Sequence, residues 1–280
     1  MPAKKAKNNG QKNGAVNSIE VTNLVKKFHD FTAVNNISFN VKKGEIFAFL
    51  GPNGAGKTTT IKMLTTLLHP TSGQMLVNGH DPVKDQNGVR HSFGIVFQDP
   101  SMDDELTAYE NLEFHGVLYS MPGKLIKKRV EKMLKFVELW NRKDELVKNF
   151  SGGMKRRLEI ARGLIHYPEI IFLDEPTLGL DPQTRNHIWD YIKNLNKKEG
   201  ITVFFTTHYM EEADRAADRI AVIDRGKIIA SGSPAELKRK TRKKSLEDAF
   251  LSLTGHRIRE EESTGADHMR MRERVWSRRR

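Results

Sequence analysis

The 280-residue sequence contains no cysteine, which rules out disulfides and thiolate metal sites and fits a reducing compartment. No apolar run approaches the roughly 18 residues of a membrane-spanning helix. The first residues are rich in Lys, Asn and Gly and lack the apolar core of a secretory leader. Nothing in the chain is expected to cross a bilayer unaided, and no internal repeat is visible. Acidic residues are also short, 35 against 47 Lys and Arg, for a net charge of +12. About +4 of this lies in residues 1–17 and about +7 in 238–280, leaving the body close to +1. Basicity confined to the ends argues against a shaped nucleic-acid groove. It leaves open flexible arms near anionic lipid or RNA, or plain solvated tails.

What is present begins with hydrophobic residues at 38%, enough for one large α/β domain or two smaller ones. The most informative stretch is GPNGAGKTT, Gly51 to Thr59, directly after the apolar run Ile46, Phe47, Ala48, Phe49, Leu50. An apolar strand, a glycine-rich turn and an amphipathic segment opened by Lys57 and Thr58 make a phosphate-binding loop. Gly51, Gly54 and Gly56 carry no β-carbon, so the backbone can turn amide N–H groups toward a phosphate. The helix beginning near Lys57 adds unpaired N–H groups and its positive dipole end. The whole loop, including Pro52, Asn53 and Ala55, is therefore assigned to a nucleotide. Lys57 is expected to bridge the β- and γ-phosphates, Thr58 to ligate Mg²⁺, and Thr59 to lie on the α-phosphate side. A turn that merely joins strand to helix would not need Gly51, Gly56, Lys57 and Thr58 together at this spacing.

Around this loop the chain reads as alternating strands and helices. Residues 19–25 and 37–41 read as short strands with Phe28 between them, and Lys43-Gly44 turns into the phosphate-loop strand. Met75 and Val77 before Asn78-Gly79 suggest another strand and turn, and Phe93 to Phe97 a buried strand ending in Gln98. From about Thr107 to Leu146 apolar residues fall at helical spacing, broken by Pro122-Gly123, which predicts a helical insertion. A helix rich in Arg156, Arg157 and Arg162 follows Ser151-Gly152-Gly153. Then come strand 170–173, helix 184–197, strand 201–206 ending at His208, helix 210–217 and a hairpin around Arg225-Gly226. This pattern predicts a parallel α/β core with its chemistry at the carboxyl ends of the strands.

Asp174 and Glu175 end an apolar strand, a costly place for two carboxylates unless they face a cation and a reactant. In a phosphate-loop ATPase the first would hold Mg²⁺ and the second would polarise the attacking water. Ser151 is a good helix N-cap, and Gly152 and Gly153 let backbone N–H groups approach a phosphate closely.

FSGGMKRRLEIARGL from Phe150 to Leu164 and IIFLDEPTLGLDP from Ile170 to Pro182 resemble the signature and second nucleotide motif of the ATP-binding cassette (ABC) family. The resemblance runs from about Ile19 to Leu237. It implies a RecA-like phosphate-loop core with an antiparallel β subdomain and a helical subdomain at about 99–150, all within 18–237, flanked by basic and partly disordered ends at 1–17 and 238–280. It further implies that Gln98 is the loop glutamine, contributing to the metal site and catalysis, and that His208 is the switch histidine. Asp181 becomes the aspartate of the dimer-contact loop, and Phe28 the aromatic residue that stacks on adenine. The signature residues would act on ATP held by a second copy. One departure is Met154, where the family usually has glutamine; a backbone amide can still donate there.

DPSMDDELTAYENLEFHGVLY after Gln98, the Met154 form of the signature and SLEDAFLSLTG near Ser245 most resemble ATP-binding subunits of daunorubicin-resistance-type exporters. The implied protein is a homodimeric ATPase that uses ATP and Mg²⁺. It would sit peripherally on the cytoplasmic face of the cell membrane beside a separate transmembrane permease, with no specific nucleic acid as partner. Two alternatives stand beside it, a soluble ABC ATPase acting on nucleic acid or the ribosome, and an importer subunit.

Overall fold

Strand β3 (Ile46–Leu50) is apolar on both faces because both faces are covered, and every residue in it is buried. It lies inside a six-stranded sheet with β5 (Phe93–Val96), β6 (Ile170–Asp174), β7 (Thr202–Thr207), β8 (Arg219–Asp224) and β9 (Lys227–Gly232), in the order β5-β6-β7-β3-β8-β9. Pairing is parallel from β5 through β8, and β9 closes the edge antiparallel to β8. A smaller antiparallel sheet holds β1 (Asn17–Phe28), β2 (Phe31–Lys42) and β4 (Ser72–Val77) in the order β2-β1-β4. This is the fold class that the sequence implies. The coordinates are a computed structural model, which describes residues 16–99 and 101–255.

The period-2 alternation of the strands sorts the core into two layers. Phe47, Phe49, Phe172 and Phe204 point to the side of the small sheet, where Phe39 of β2 stacks on Phe47 at 5.7 Å between ring centroids. Ala48, Leu50, Ile171, Leu173, Val203 and Phe205 point to the opposite layer. There they meet the helices α3 (Ala108–Leu118), α4 (Gly123–Phe136), α5 (Gly152–Gly163) and α6 (Pro182–Glu199). On the small-sheet side lie α1 (Lys57–Leu64) and α2 (Gln86–Ser92).

Local signals explain the helix boundaries. Thr107 and Glu110 form a capping box at the start of α3. Asp181 caps α6, Pro182 occupies its first turn, and Gly200 ends it at φ 67°. The two helices α3 and α4 fall inside the stretch expected to be a helical insertion.

Several expectations shift. The hairpin β1–β2 is longer than the short strands read from the sequence, and Phe28 is the last residue of β1, paired with Phe31, rather than a residue between strands. Its turn uses His29 at φ 49°, a left-handed position without glycine and so without the usual signal. Of the stretch 1–17, only Val16 and Asn17 are described, and Asn17 opens β1. The division placed after Leu237 falls inside α8 (Pro234–Thr241). After α7 (Met210–Ala216), both α8 and α9 (Leu246–Thr254) join the core through Leu237, Leu246, Ala249 and Phe250. The remainder of the basic C-terminal stretch lies outside the described residues.

Candidate active site

Four parallel strands in a row, β5, β6, β7 and β3, deliver their carboxyl ends to one edge of the sheet. Gln98 follows β5, Asp174 and Glu175 end β6, His208 follows β7, and Gly51 opens the loop after β3.

The loop is held from below by backbone. A β-carbon on Gly51 would lie 2.3 Å from the carbonyl oxygen of Ile223, and one on Gly56, at φ 105°, 2.6 Å from that of Ala33. Glycine is required at both places because the neighbouring chain already occupies the space. Gly226 N–H donates to Ala55 O at 3.0 Å, and Asn35 N–H donates to Gly226 O at 2.8 Å. The loop, the β8–β9 turn and β2 are thereby one unit.

Lys57 is 5% exposed. Its ammonium donates to Gly51 O at 2.8 Å and Pro52 O at 3.2 Å, and pairs with Glu175 Oε1 at 3.2 Å. Burial pulls its pKa below that of free lysine, against the opposing pull of Glu175 and Asp174. Glu175 Oε2 accepts from Nδ1 of His208 at 2.9 Å. Burial alone would raise the Glu175 carboxyl, but His208 and Lys57 hold it below the ordinary carboxylate range. The backbone of Glu175 is left-handed, φ 48°, and its N–H donates to the hydroxyl of Thr206 at 3.0 Å. A bulky residue in that conformation persists only where its surroundings over-determine it.

Asp174 is 2% exposed. Thr206 donates to its Oδ1 at 2.5 Å, and Thr58 hydrogen-bonds the same carboxylate. Burial nevertheless raises its pKa, Glu175 adding to the effect, so an added cation would be favoured there. Among the described residues no group of three or more His, Cys, Asp or Glu could hold a metal ion. A single buried carboxylate beside a threonine hydroxyl suits Mg²⁺ in particular, which keeps several waters and binds through one or two carboxylates plus phosphate oxygens.

The remaining expected residues have surroundings of their own. Gln98 is exposed just beyond Phe97. Phe28 is 42% exposed at the hairpin end, with the Lys26 ammonium 4.9 Å from its ring centre. Ser151 caps α5 by accepting from Met154 N–H at 3.3 Å, so the departure from glutamine at 154 leaves the cap intact. Gly153 lets Thr184 approach, since a β-carbon there would lie 2.6 Å from the Thr184 methyl. Asp181 accepts from Thr184 N–H at 2.9 Å. The signature residues and Asp181 thus form a second cluster beside one another. Thr59 is half-buried on the first turn of α1.

Sequence reading missed Thr206, Thr207 and Glu212. Glu212 is buried and accepts from Thr177, and from Thr207 at 3.1 Å, bracing the turn after Glu175 against the strand that precedes His208. The paired threonines that close β7 after Val203, Phe204 and Phe205 were the available signal.

A profile described as ABC transporter matches residues 34–178. The chain is 44% identical over 219 residues to the linearmycin resistance ATP-binding protein of Bacillus subtilis, covering 78% of this chain and 70% of that one. It is 44% identical over 221 residues to the daunorubicin/doxorubicin resistance ATP-binding protein of Streptomyces peucetius, covering 79% and 67%. Among solved structures it is similar to an ATP-binding cassette solved as a dimer in a post-hydrolysis state with ADP and phosphate, at TM-score 0.69 and 30% identity over 77% of this chain and 98% of that one.

Proposed function

The chain belongs to the ABC transporter family as an ATP-binding subunit, and we propose that it is the ATPase that powers an exporter of drug-like or lipid-like molecules, with Glu175 as the group that activates water. The observation that carries this reading is the Glu175 carboxylate held between Lys57 at 3.2 Å and His208 at 2.9 Å. A carboxylate kept ionised at a strand end, oriented by an imidazole and facing a phosphate loop, is built to take a proton.

Phosphate oxygens would be bound by the N–H groups of residues 51–59 and by Lys57, with the adenine on Phe28. Thr58, Asp174 and Gln98 would hold Mg²⁺, which when bound would supply positive charge to offset that of the phosphates. Glu175 accepts the proton of the attacking water as its oxygen bonds the γ-phosphorus and the β–γ bridging bond breaks, releasing ADP and phosphate. His208 holds Glu175 at 2.9 Å and would contact the γ-phosphate. Ser151, Gly152 and Gly153, with Asp181, would complete the site of a second copy, and the dimeric relative supports that arrangement.

Among the described residues no helix is long and apolar enough to cross a membrane, and a separate permease would supply the path for the cargo. The helical insertion offers it Phe114, Val117 and Leu118 of α3, three large apolar side chains left exposed on one face. This contact would keep the protein peripheral, on the cytoplasmic face of the membrane.

The test is recovery of Glu175→Gln protein with ATP from solubilised membranes. Co-purification of a polytopic membrane protein is expected. Recovery of ribosomes or nucleic acid instead would leave the ATPase standing and overturn the exporter.

A further inference from the structure

Three charged residues, Arg156, Glu159 and Arg162, repeat every third position along α5 and so share one side of the helix. Arg156 and Glu159 are buried, and their side chains pair at 3.0 Å. The guanidinium of Arg156 uses all three nitrogens on other elements. Its Nε donates to Pro176 O at 2.6 Å, its Nη1 to Phe97 O at 2.5 Å, and its Nη2 to Asp174 O at 3.2 Å and Glu175 O at 3.1 Å. Glu159 accepts from the backbone N–H of Ser101 at 2.8 Å through its other oxygen. Arg162 donates to Ser101 O and to its hydroxyl, both at 2.5 Å.

The loop that carries Gln98 is therefore fastened on both sides, at Phe97 and at Ser101, to the helix that begins with the signature. The same Arg156 fork also fastens the backbone of Glu175, whose left-handed conformation needs outside support. A planar fork with five fixed donors can span two such segments, whereas a lysine ammonium on a flexible stem cannot hold both in register. We infer that Arg156 and Glu159 are positioning residues for hydrolysis that join the Gln98 loop and the Glu175 strand end into one mechanical unit with α5, an assignment that rests on the roles proposed above for Gln98 and Glu175. A displacement of the Gln98 loop would then reach the water-activating carboxylate through backbone carbonyls.

The experiment is steady-state ATPase kinetics and nucleotide binding on the full chain for three variants. Arg156→Lys keeps a cation beside Glu159 and so preserves the buried ion pair. Arg156→Gln combined with Glu159→Gln leaves no lone buried charge. Glu175→Gln serves as the control. Both positioning variants are expected to keep the melting temperature within a few degrees and the KM for ATP within about twofold, while kcat falls roughly tenfold or more, as misplacement of a reacting group requires. Normal kcat in Arg156→Lys, with Glu175→Gln inactive, overturns the inference alone. Normal kcat in Glu175→Gln overturns the reading of the site itself. A fall in kcat matched by an equal loss of nucleotide affinity would assign Arg156 to the fold rather than to positioning. Should the double variant not fold, faster hydrogen exchange at the Ser101 amide in Glu159→Gln decides the same point, and unchanged exchange there overturns the inference.

Discussion

The Lys57 ammonium lies 3.2 Å from Oε1 of Glu175, both side chains buried, so the proposed phosphate ligand and the proposed base form one ion pair. On the proposed roles, an arriving γ-phosphate would compete with Glu175 for that ammonium, and its binding would free a carboxylate oxygen to face water.

Lys57→Ala is expected to weaken ATP binding about thirtyfold or more, the loss of a charge-assisted contact worth about 2–3 kcal/mol. It also strands Glu175 with only His208. Because the wild-type Glu175 pKa lies below its ordinary 4.5, the stabilisation it contributes is full above pH 4.5 and disappears as pH falls through the lower folded-state value. The gap in melting temperature between wild type and Lys57→Ala should narrow over that acid range. ATP titration, with melts taken from neutral pH down through the acid range, checks both parts. Unchanged affinity would remove Lys57 from the site.

A second acid-sensitive spot lies where His115 of α3 meets His166, just after α5. Burial, reinforced by Arg162, holds His115 down to about 3; burial also holds His166 at about 4, where it stacks on Tyr119 at 3.7 Å. Both folded values lie below the ordinary 6.5, so the unfolded chain takes up protons first. Their stabilisation is complete above pH 6.5 and drains away as pH falls toward 4 and then 3. His115→Gln is expected to flatten the fall in stability between neutral pH and pH 4 by on the order of 3 kcal/mol. Parallel curves for the two proteins would contradict it.

The two left-handed glycines of the phosphate loop should differ. Gly56→Ala adds strain at φ 105° and a contact of 2.6 Å with a backbone carbonyl, whereas Gly54 at φ 77° has open space around its missing β-carbon. The expected cost is about 1 kcal/mol for Gly54→Ala and about 3 kcal/mol for Gly56→Ala, with nucleotide binding lost in the latter. Chemical denaturation with ATP titration distinguishes them, and equal costs would refute the assignment of the clash.

Phe28→Ala is expected to raise the KM for ATP about tenfold with kcat nearly unchanged, since stacking on a base is worth about 1–3 kcal/mol. Phe28→Tyr should restore it. A fall in kcat at unchanged KM would place Phe28 outside the base site.

The phosphate loop was legible because its chemistry demands residue types: only glycine tolerates the carbonyls of Ile223 and Ala33 at such range. The paired carboxylates after a buried strand were legible for the same reason. Arg156 was visible only as one of several arginines, because its partners are mostly backbone carbonyls, which leave no mark in a sequence. The order of the strands was equally hidden. Nothing in the spacing places β7 between β3 and β6; long-range parallel pairing decides it. In α8 and in Arg242, Lys243 and Lys244 before α9 the density of Lys and Arg masked Leu237, Leu246 and Phe250, which bind these helices to the core.

That strand order acts as a ruler. Adjacent strands are spaced at about 4.8 Å by their hydrogen bonds, so the loop after β3, His208, Glu175 and Gln98 stand at successive graduations along the sheet edge. The calibration is written in main-chain bonds that every amino acid can make. Side chains at the graduations can therefore be exchanged in evolution or in the laboratory without moving the marks, and the distance from the loop after β3 to residue 175 is inherited from the sheet.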